Sequence, residues 1–371
     1  MQEKRIAIMG AGSIGTILGA LLTRSGVEVD LIDSYAAHVD ALRTCGATVV
    51  GNLELNVPVT AYTPDNLEGV YDIVFLLCKQ TGTREALEQL MPHLHGESVV
   101  CTLQNGLPEP RVAEIIGRER TMGGIVLFGA TWEAPGVSRC TSTAEHMAKG
   151  VLLELGELDG GITPRLLELR SILSKAVNCT VSDSLMSLRW LKILINATSS
   201  GMSAALGCEF GWYLDRDDAM LALAMVGDET IRVAHAEGVR MPGAGQSDSY
   251  EYFEIKPGET AWDKIEAYRA IWNVTARELK ASMLQDLEKG RPCEIDFING
   301  EVIAGGRRHG IPTPYNDTLA ALVKLAQAHG QVWQPEEALP FFQALLTASY
   351  QAGGAGNYVS INHLDGFSSI Y

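Results

Sequence analysis

The sequence predicts an α/β domain followed by an all-helical domain, and three observations carry that expectation. A glycine-rich turn joins an apolar strand to an apolar helix within the first 33 residues. Short apolar runs then alternate with helical stretches as far as Leu155. From Ser184 onward the apolar residues recur at helical spacing and strands nearly vanish.

The first unit reads strand, glycine turn, helix, strand, acid. Lys4 to Met9 is a short, nearly all-apolar strand that runs into Gly10-Ala11-Gly12-Ser13-Ile14-Gly15. The apolar run Ile17 to Leu22 follows, then a second strand from Val27 to Ile32 that ends on Asp33. Gly10 lets the chain turn tightly off the strand. Gly12 carries no side chain, so backbone can approach a pyrophosphate, and Gly15 lets the helix pack closely on the sheet. The helix N-terminus offers free N–H groups and a partial positive charge to phosphates. Asp33 stands where a carboxylate accepts both ribose hydroxyls of an adenosine. The competing reading is an ordinary strand–helix turn with a solvent-facing Asp33, but the full order of elements favours a dinucleotide site. A secretory signal is rejected. Lys4 and Arg5 do precede an apolar stretch, but four glycines, Ser13 and Thr16 interrupt it, and no clear cleavage site closes it.

Bulk properties bound the function. A chain of 371 residues suggests two domains, and 46% hydrophobic content with 20% charged residues permits a sizeable core. No segment has the uninterrupted apolar length of a membrane span. A net charge of −16 argues against nucleic acid or an anionic membrane surface as partner. An anionic cofactor or substrate must therefore be held by local positive features. The seven cysteines are scattered, odd in number and without a C-x-x-C pair, which fits a reducing cytoplasm. The eight histidines show no metal spacing, so no metal is expected.

In the first half, a helical run passes through Val39 and Leu42, and 48–60 is extended. Asp72 to Cys78 reads as a buried parallel strand, 85–91 as helix, and Ser98 to Leu103 as a strand ending at Gln104-Asn105-Gly106. Residues 121–128 and 150–155 read as further strands. In the second half, 185–195, 219–236, 260–287, 295–309 and 318–329 all read as helices, with a polar, glycine-rich connection over 241–258. The expected domains are 1–182, 183–335, and an extension over 336–371 to which the sequence assigns no role.

A nucleotide domain followed by a helical one places a site at the carboxyl ends of the strands, in a cleft between the domains. Lys79 and Asn105 each follow such a strand. Lys79 reads equally well as the first solvated residue after its strand. In Trp190-Leu191-Lys192-Ile193-Leu194-Ile195-Asn196, Lys192 and Asn196 share a helix face among apolar neighbours. Such a lysine either snorkels to solvent, the reading its neighbours alone favour, or is held desolvated as a proton donor. Ser282 and Asp286 also share a helix face. Glu294, after Pro292, is either a capping carboxylate or a partner for Lys192.

Together these segments resemble the ketopantoate reductase (2-dehydropantoate 2-reductase) family, from about residue 4 to about residue 330. The resemblance rests on Gly10 to Gly15, Cys78-Lys79, Leu103 to Gly106, Trp190-Leu191-Lys192 with Asn196, and Ser282 to Asp286 through Glu294 to Gly300. It implies a Rossmann domain followed by an all-α C-terminal domain of the 6-phosphogluconate-dehydrogenase-like kind. It also implies NAD(P)H-dependent reduction of a 2-keto acid to an (R)-2-hydroxy acid, for pantothenate and coenzyme A synthesis. By that carry-over Lys192 is the proton donor, Glu294 holds Lys192 and substrate, and Asn196 and Ser282 bind substrate polar groups, with Ser200 and Asp286 beside them. Lys79 and Asn105 line the cofactor–substrate junction.

Two departures matter. Members that use NADPH usually carry a basic residue just after the second strand, whereas this chain has Asp33-Ser34-Tyr35, which favours NADH. Where members often carry a second asparagine one turn after Asn196, this chain has Ser200. Both departures suit an alternative, a broader NADH-dependent (R)-2-hydroxyacid dehydrogenase for bulky 2-keto acids. A non-catalytic dinucleotide-binding sensor is a second alternative, and the retained Lys192 and Glu294 argue against it. The apolar helices of the second half are compatible with a homodimer and equally with an internal core.

Overall fold

The computed structural model describes residues 4–241, 243–244, 248–272 and 277–351. The chain divides into two compact units, Met1–Arg189 and Trp190–Tyr371.

The first unit is built on an eight-stranded sheet. Its strands are β1 (Ile6–Met9), β2 (Asp30–Ile32), β5 (Thr60–Tyr62), β6 (Tyr71–Leu76), β7 (Leu94–Thr102), β8 (Thr121–Val126), β11 (Leu153–Gly156) and β12 (Cys179–Ser182). They are ordered β12-β11-β8-β7-β6-β1-β2-β5, and every neighbouring pair is parallel except β11 with β8. The near-continuous apolar composition of β1 and β6 follows from burial on both faces. Ile6, Ile8, Ile73 and Phe75 enter one core, while Ala7, Met9, Val74 and Leu76 enter the other. Helices α3 (Thr83–Leu90) and α4 (Glu109–Ile116) cover the second core through Ala86, Leu87, Leu90, Val112 and Ile116.

Helix α1 (Ser13–Arg24) is buried without a break from Gly15 to Leu22. A helix apolar all round needs cover on more than one side. The sheet supplies one side. A second sheet supplies the other, formed by β3 (Ala47–Gly51), β4 (Leu55–Val57), β9 (Ala130–Ala134) and β10 (Val137–Cys140) in the order β4-β3-β10-β9. The extended stretch expected over 48–60 is thus shared: β3 and β4 belong to the small sheet and β5 to the large one. The hairpin β9–β10, strand β12, and helices α4, α5 (Ala144–Lys149) and α6 (Pro164–Leu173) were not anticipated. In α6 the signals are local: Thr163 caps the N-terminus by accepting from the Leu166 N–H at 3.2 Å, Pro164 occupies the first turn, and Leu166, Leu169 and Leu173 form the buried face.

The second unit is helical. Helix α7 (Leu185–Ile195) begins in the first unit and continues through a π-helical turn, Asn196–Ser200, into α8 (Gly201–Leu206). Then come α9 (Phe210–Leu214), α10 (Asp217–Ala236), α11 (Trp262–Trp272), α12 (Ser282–Glu288), α13 (Asn299–His309), α14 (Pro314–His329) and α15 (Pro335–Gln351). Helix α10 is the central one, buried on nearly every side from Ala219 to Ile231.

Two expectations need correction here. The single helix expected over 260–287 is two helices, α11 and α12, with Arg277 to Ala281 non-helical between the described parts. The helix expected over 295–309 is a 3₁₀ turn, Ile295–Phe297, separated from α13 by Ile298 at φ −120°, ψ −85°. Of the expected extension, Pro335–Gln351 forms α15, which packs against α8, α10 and α14 through Ala338, Leu339, Phe342 and Leu346, and the rest lies outside the described residues.

Candidate functional site

In the first unit the expected cofactor residues meet at the carboxyl ends of four adjacent strands, β7, β6, β1 and β2. The glycine turn leaves β1 and is anchored at once to β2, since the N–H groups of Gly10 and Ala11 both donate to the Ile32 carbonyl, at 2.8 and 2.9 Å. That bond sets the turn beside Asp33. Gly10 has φ +100°, and a Cβ there would stand 2.2 Å from the backbone nitrogen of Cys78, so glycine is required by both conformation and space. A Cβ on Gly15 would meet the Gly10 carbonyl oxygen at 2.3 Å. Gly12 differs. It caps α1 at φ −62°, and a Cβ there would meet nothing within 4 Å. The protein's own packing does not demand glycine at this position. An open approach to the backbone at a helix N-terminus fits a pyrophosphate, with Ala11, Ser13 and Ile14 completing the turn.

Asp33 is half-buried, and its Oδ1 accepts the N–H of Tyr35 at 2.9 Å, which fixes the carboxylate at the start of α2 (Ala36–Cys45). His38, fully buried on α2, supports the glycine turn from behind. Its Nδ1 accepts the Gly136 N–H at 2.8 Å, so Nε2 carries the proton and donates to the Ala11 carbonyl at 2.7 Å. The Trp132 ring lies 4.6 Å from the imidazole, centroid to centroid. No local pattern in the sequence marks His38, because its partners Ala11 and Gly136 lie far from it in the chain.

Lys79 is exposed just beyond β6, and Asn105 is half-buried just beyond β7. Two glutamines tie their loops together. Gln104 Nε2 donates to the Cys78 carbonyl at 2.7 Å and to Thr83 Oγ1 at 2.8 Å. Gln80 Nε2 donates to the Asn105 carbonyl, while Gln80 Oε1 accepts from Arg111 at 2.9 Å. Arg189, with its side chain 1% exposed, reaches the same loop. It donates to the carbonyls of Thr102 (3.0 Å) and Gln104 and pairs with buried Glu109, Nε to Oε1 at 2.7 Å. Nothing in the sequence flagged Arg189, whose partners lie some eighty positions away.

In the second unit Lys192 is half-buried on α7, and Asn196 and Ser200, also half-buried, open and close the π turn. Thr198 Oγ1 bonds back to the Leu194 carbonyl at 2.7 Å, and Ser199 Oγ to that of Ile195, which absorbs part of the widened turn. From the other side the Asn299 amide donates to the Ala197 carbonyl at 3.4 Å and to Asn316 Oδ1 at 2.9 Å. Asn316 Nδ2 in turn donates to Glu229 Oε2 at 2.8 Å. Burial pushes the Glu229 carboxyl up to about 8 against three donors that pull it down: the N–H groups of Tyr315 and Asn316 and the Asn316 amide. Helix α12 packs against the π turn, and it carries Ser282, exposed, at its first position and Asp286, buried, one turn later. Glu294 is 8% exposed and precedes the 3₁₀ turn.

Both halves of the chain match known family models. Residues 6–153 match ketopantoate reductase PanE/ApbA, and residues 184–327 match the ketopantoate reductase PanE/ApbA C terminal model. The chain belongs to the ketopantoate reductase family.

Among ketopantoate reductase relatives, the chain is 29% identical to a 2-dehydropantoate 2-reductase of Pyrococcus horikoshii, over 88% of this chain and 98% of that one. The crystal structure of 2-dehydropantoate 2-reductase from Geobacter metallireducens superposes with a TM-score of 0.72 at 30% identity, covering 87% of this chain and 99% of the other. A ternary structure of D-mandelate dehydrogenase with NADH and anilino(oxo)acetate superposes with a TM-score of 0.75 at 25% identity, covering 88% and 99%. No helix among the described residues is long and apolar enough to cross a membrane.

Proposed function

We propose that this chain reduces 2-dehydropantoate to (R)-pantoate with a nicotinamide cofactor, as a step toward pantothenate and coenzyme A. The observation that carries the reading is the match of both halves to ketopantoate reductase. Gly10 to Gly15 hold the pyrophosphate at the N-terminus of α1, and Asp33 takes the adenosine ribose. A nicotinamide cofactor bound there would supply the hydride for C2 of the keto acid.

This chain's residues do the rest. Lys192 Nζ faces the negative charge that builds on the keto oxygen, stabilises it, and gives up a proton to complete the hydroxyl. Glu294 orients Lys192 and substrate. Asn196, Ser200, Ser282 and Asp286 bind the substrate's polar groups, and Lys79 and Asn105 line the junction with the cofactor. Asp33 selects NADH, because its carboxylate repels a 2′-phosphate and suits free hydroxyls. The reading places the protein in the cytoplasm, where the free thiols of Cys45, Cys101, Cys140, Cys179 and Cys208 stay reduced. It also admits a homodimer, which light scattering on the purified protein tests.

A second reading keeps the mechanism and changes the acid. Ser200, shorter than an asparagine, and the likeness to a D-mandelate dehydrogenase with NADH favour a bulky or aromatic 2-keto acid. Initial rates with 2-dehydropantoate and with an aromatic 2-keto acid, each with NADH and NADPH, separate the readings. Fast turnover of 2-dehydropantoate supports the first, and turnover of the aromatic acid alone supports the second. No turnover with either, but retained NADH binding, leaves a dinucleotide binder.

A further inference from the structure

We infer that Arg189 is a positioning residue, which sets the loop bearing Asn105 through a buried clamp on the backbone. The inference rests on the proposed reduction for the role of Asn105, and on the structure for everything else.

The guanidinium serves three groups at once. It donates to the carbonyls of Thr102 and Gln104, which flank Leu103 at the end of β7, and to Oε1 of Glu109 at the start of α4. These groups bracket the Asn105-Gly106 turn on both sides. Thr102 is the last residue of β7 and Gln104 lies beyond it, and buried carbonyls need donors. A rigid planar fork meets several acceptors in fixed directions, as a lysine cannot. From the outer side Gln104 and Gln80 tie the same turn to the Lys79 loop. Asn105 is therefore held by a lattice of side chains rather than by secondary structure.

The clamp is an expensive way to fill this space. Arg189 and Glu109 are both nearly fully buried, and Glu109 Oε2 has no hydrogen-bond partner among the described residues. An apolar pair would remove two buried charges, a change that is often neutral or stabilising for an isolated pair. What an apolar pair cannot supply is direction at two backbone carbonyls. The pair is retained for geometry.

The test compares wild type, Asn105→Ala, the double variant Arg189→Met/Glu109→Met, and the triple. Amide hydrogen exchange at Asn105 and Gly106 is read alongside thermal midpoint, kcat and KM. The double variant is expected to lower the midpoint modestly, because two buried carbonyls lose their donor while two buried charges are removed, to exchange its loop amides faster, and to lose about tenfold or more in kcat, with a smaller change in KM. If Arg189 acts through Asn105, the triple falls no more than about threefold below Asn105→Ala alone. Wild-type exchange and kcat in the double variant, or losses that multiply in the triple, overturn the inference. If the double variant does not fold, Arg189→Lys keeps the charge and loses the fork: faster loop exchange supports the clamp, and unchanged exchange overturns it. Absence of wild-type turnover overturns the proposed reaction instead, while the exchange readout still decides the clamp.

Discussion

The imidazole Nε2 of His38 lies 2.7 Å from the carbonyl oxygen of Ala11, with the other ring nitrogen held by the Gly136 N–H at 2.8 Å. One side chain thereby joins the glycine turn to the small second sheet. Replacing His38 with Leu leaves the Gly136 N–H without its acceptor and the Ala11 carbonyl with Thr16 Oγ1 as its remaining side-chain donor, which costs about 1–3 kcal/mol in the geometry of the turn. NADH affinity is expected to weaken roughly tenfold. Calorimetric titration of a folded His38→Leu protein checks this, and an unchanged Kd sinks it.

Gly10 and Gly12 are expected to separate stability from binding. Gly10→Ala places a methyl against Cys78 at positive φ and is expected to cost more than about 1 kcal/mol of stability. Gly12→Ala meets open space, so its midpoint should match wild type while dinucleotide binding drops. Denaturation and titration of the two variants side by side give the answer. Equal midpoints for both would contradict the packing account of Gly10.

Lys192→Ala is expected to lower kcat by roughly 10²–10⁴ while NADH binding survives. A variant with wild-type turnover would remove Lys192 as the proton donor.

Asp33→Ala removes the carboxylate expected to exclude a 2′-phosphate. The ratio of kcat/KM for NADPH over NADH should rise about tenfold or more. A ratio that stays fixed would mean that Asp33 does not meet the ribose.

Stability should depend on pH through Glu229. Folded, this carboxyl keeps its proton up to about pH 8, while in the unfolded chain it ionises near its ordinary 4.5. Between those values the folded state binds more protons, so stability declines as pH rises. The contribution is fully present below the unfolded value and is lost as pH passes through about 8. Neighbouring Asp228, pushed up to about 6 by burial, adds in the same direction at lower pH. Urea midpoints of wild type and Glu229→Gln at pH 5.5 and 8 test this, and the variant should show the flatter slope. Equal slopes would exclude Glu229 as the source.

The parts of the fold legible in the sequence were those governed by local pattern. The turn from Gly10 to Gly15 and the apolar run of β6 each carry their signal within a few residues. The small sheet was not legible, because β9 is only partly buried and β10 pairs in parallel with β3, some ninety positions earlier. A helix over 260–287 was expected because the spacing stays helical across 277–281, where the backbone of Arg277 and Leu279 instead accepts from Gly211 and Phe210. The site followed the same rule. Lys79, Asn105 and Asp33 stand at strand ends, where sequence order predicts exposure. His38 and Arg189 work through backbone carbonyls far away in the chain, and no local pattern announces such contacts.

The π turn at Asn196–Ser200 bears on how a pocket is read across a family. A π turn takes one residue more per turn than an α-helix. Every position after Asn196 is thereby rotated relative to the face that Lys192 begins. Counting by fours from Lys192 reaches Asn196 correctly, but beyond it the count slips out of phase. A relative whose helix runs on as plain α presents a different residue to the same point in space. Ser200, the last residue of the π turn, therefore takes its direction from that turn and not from the α-helical face on which Lys192 and Asn196 lie. Transfer of substrate preference along this helix has to follow backbone geometry and not the numbering.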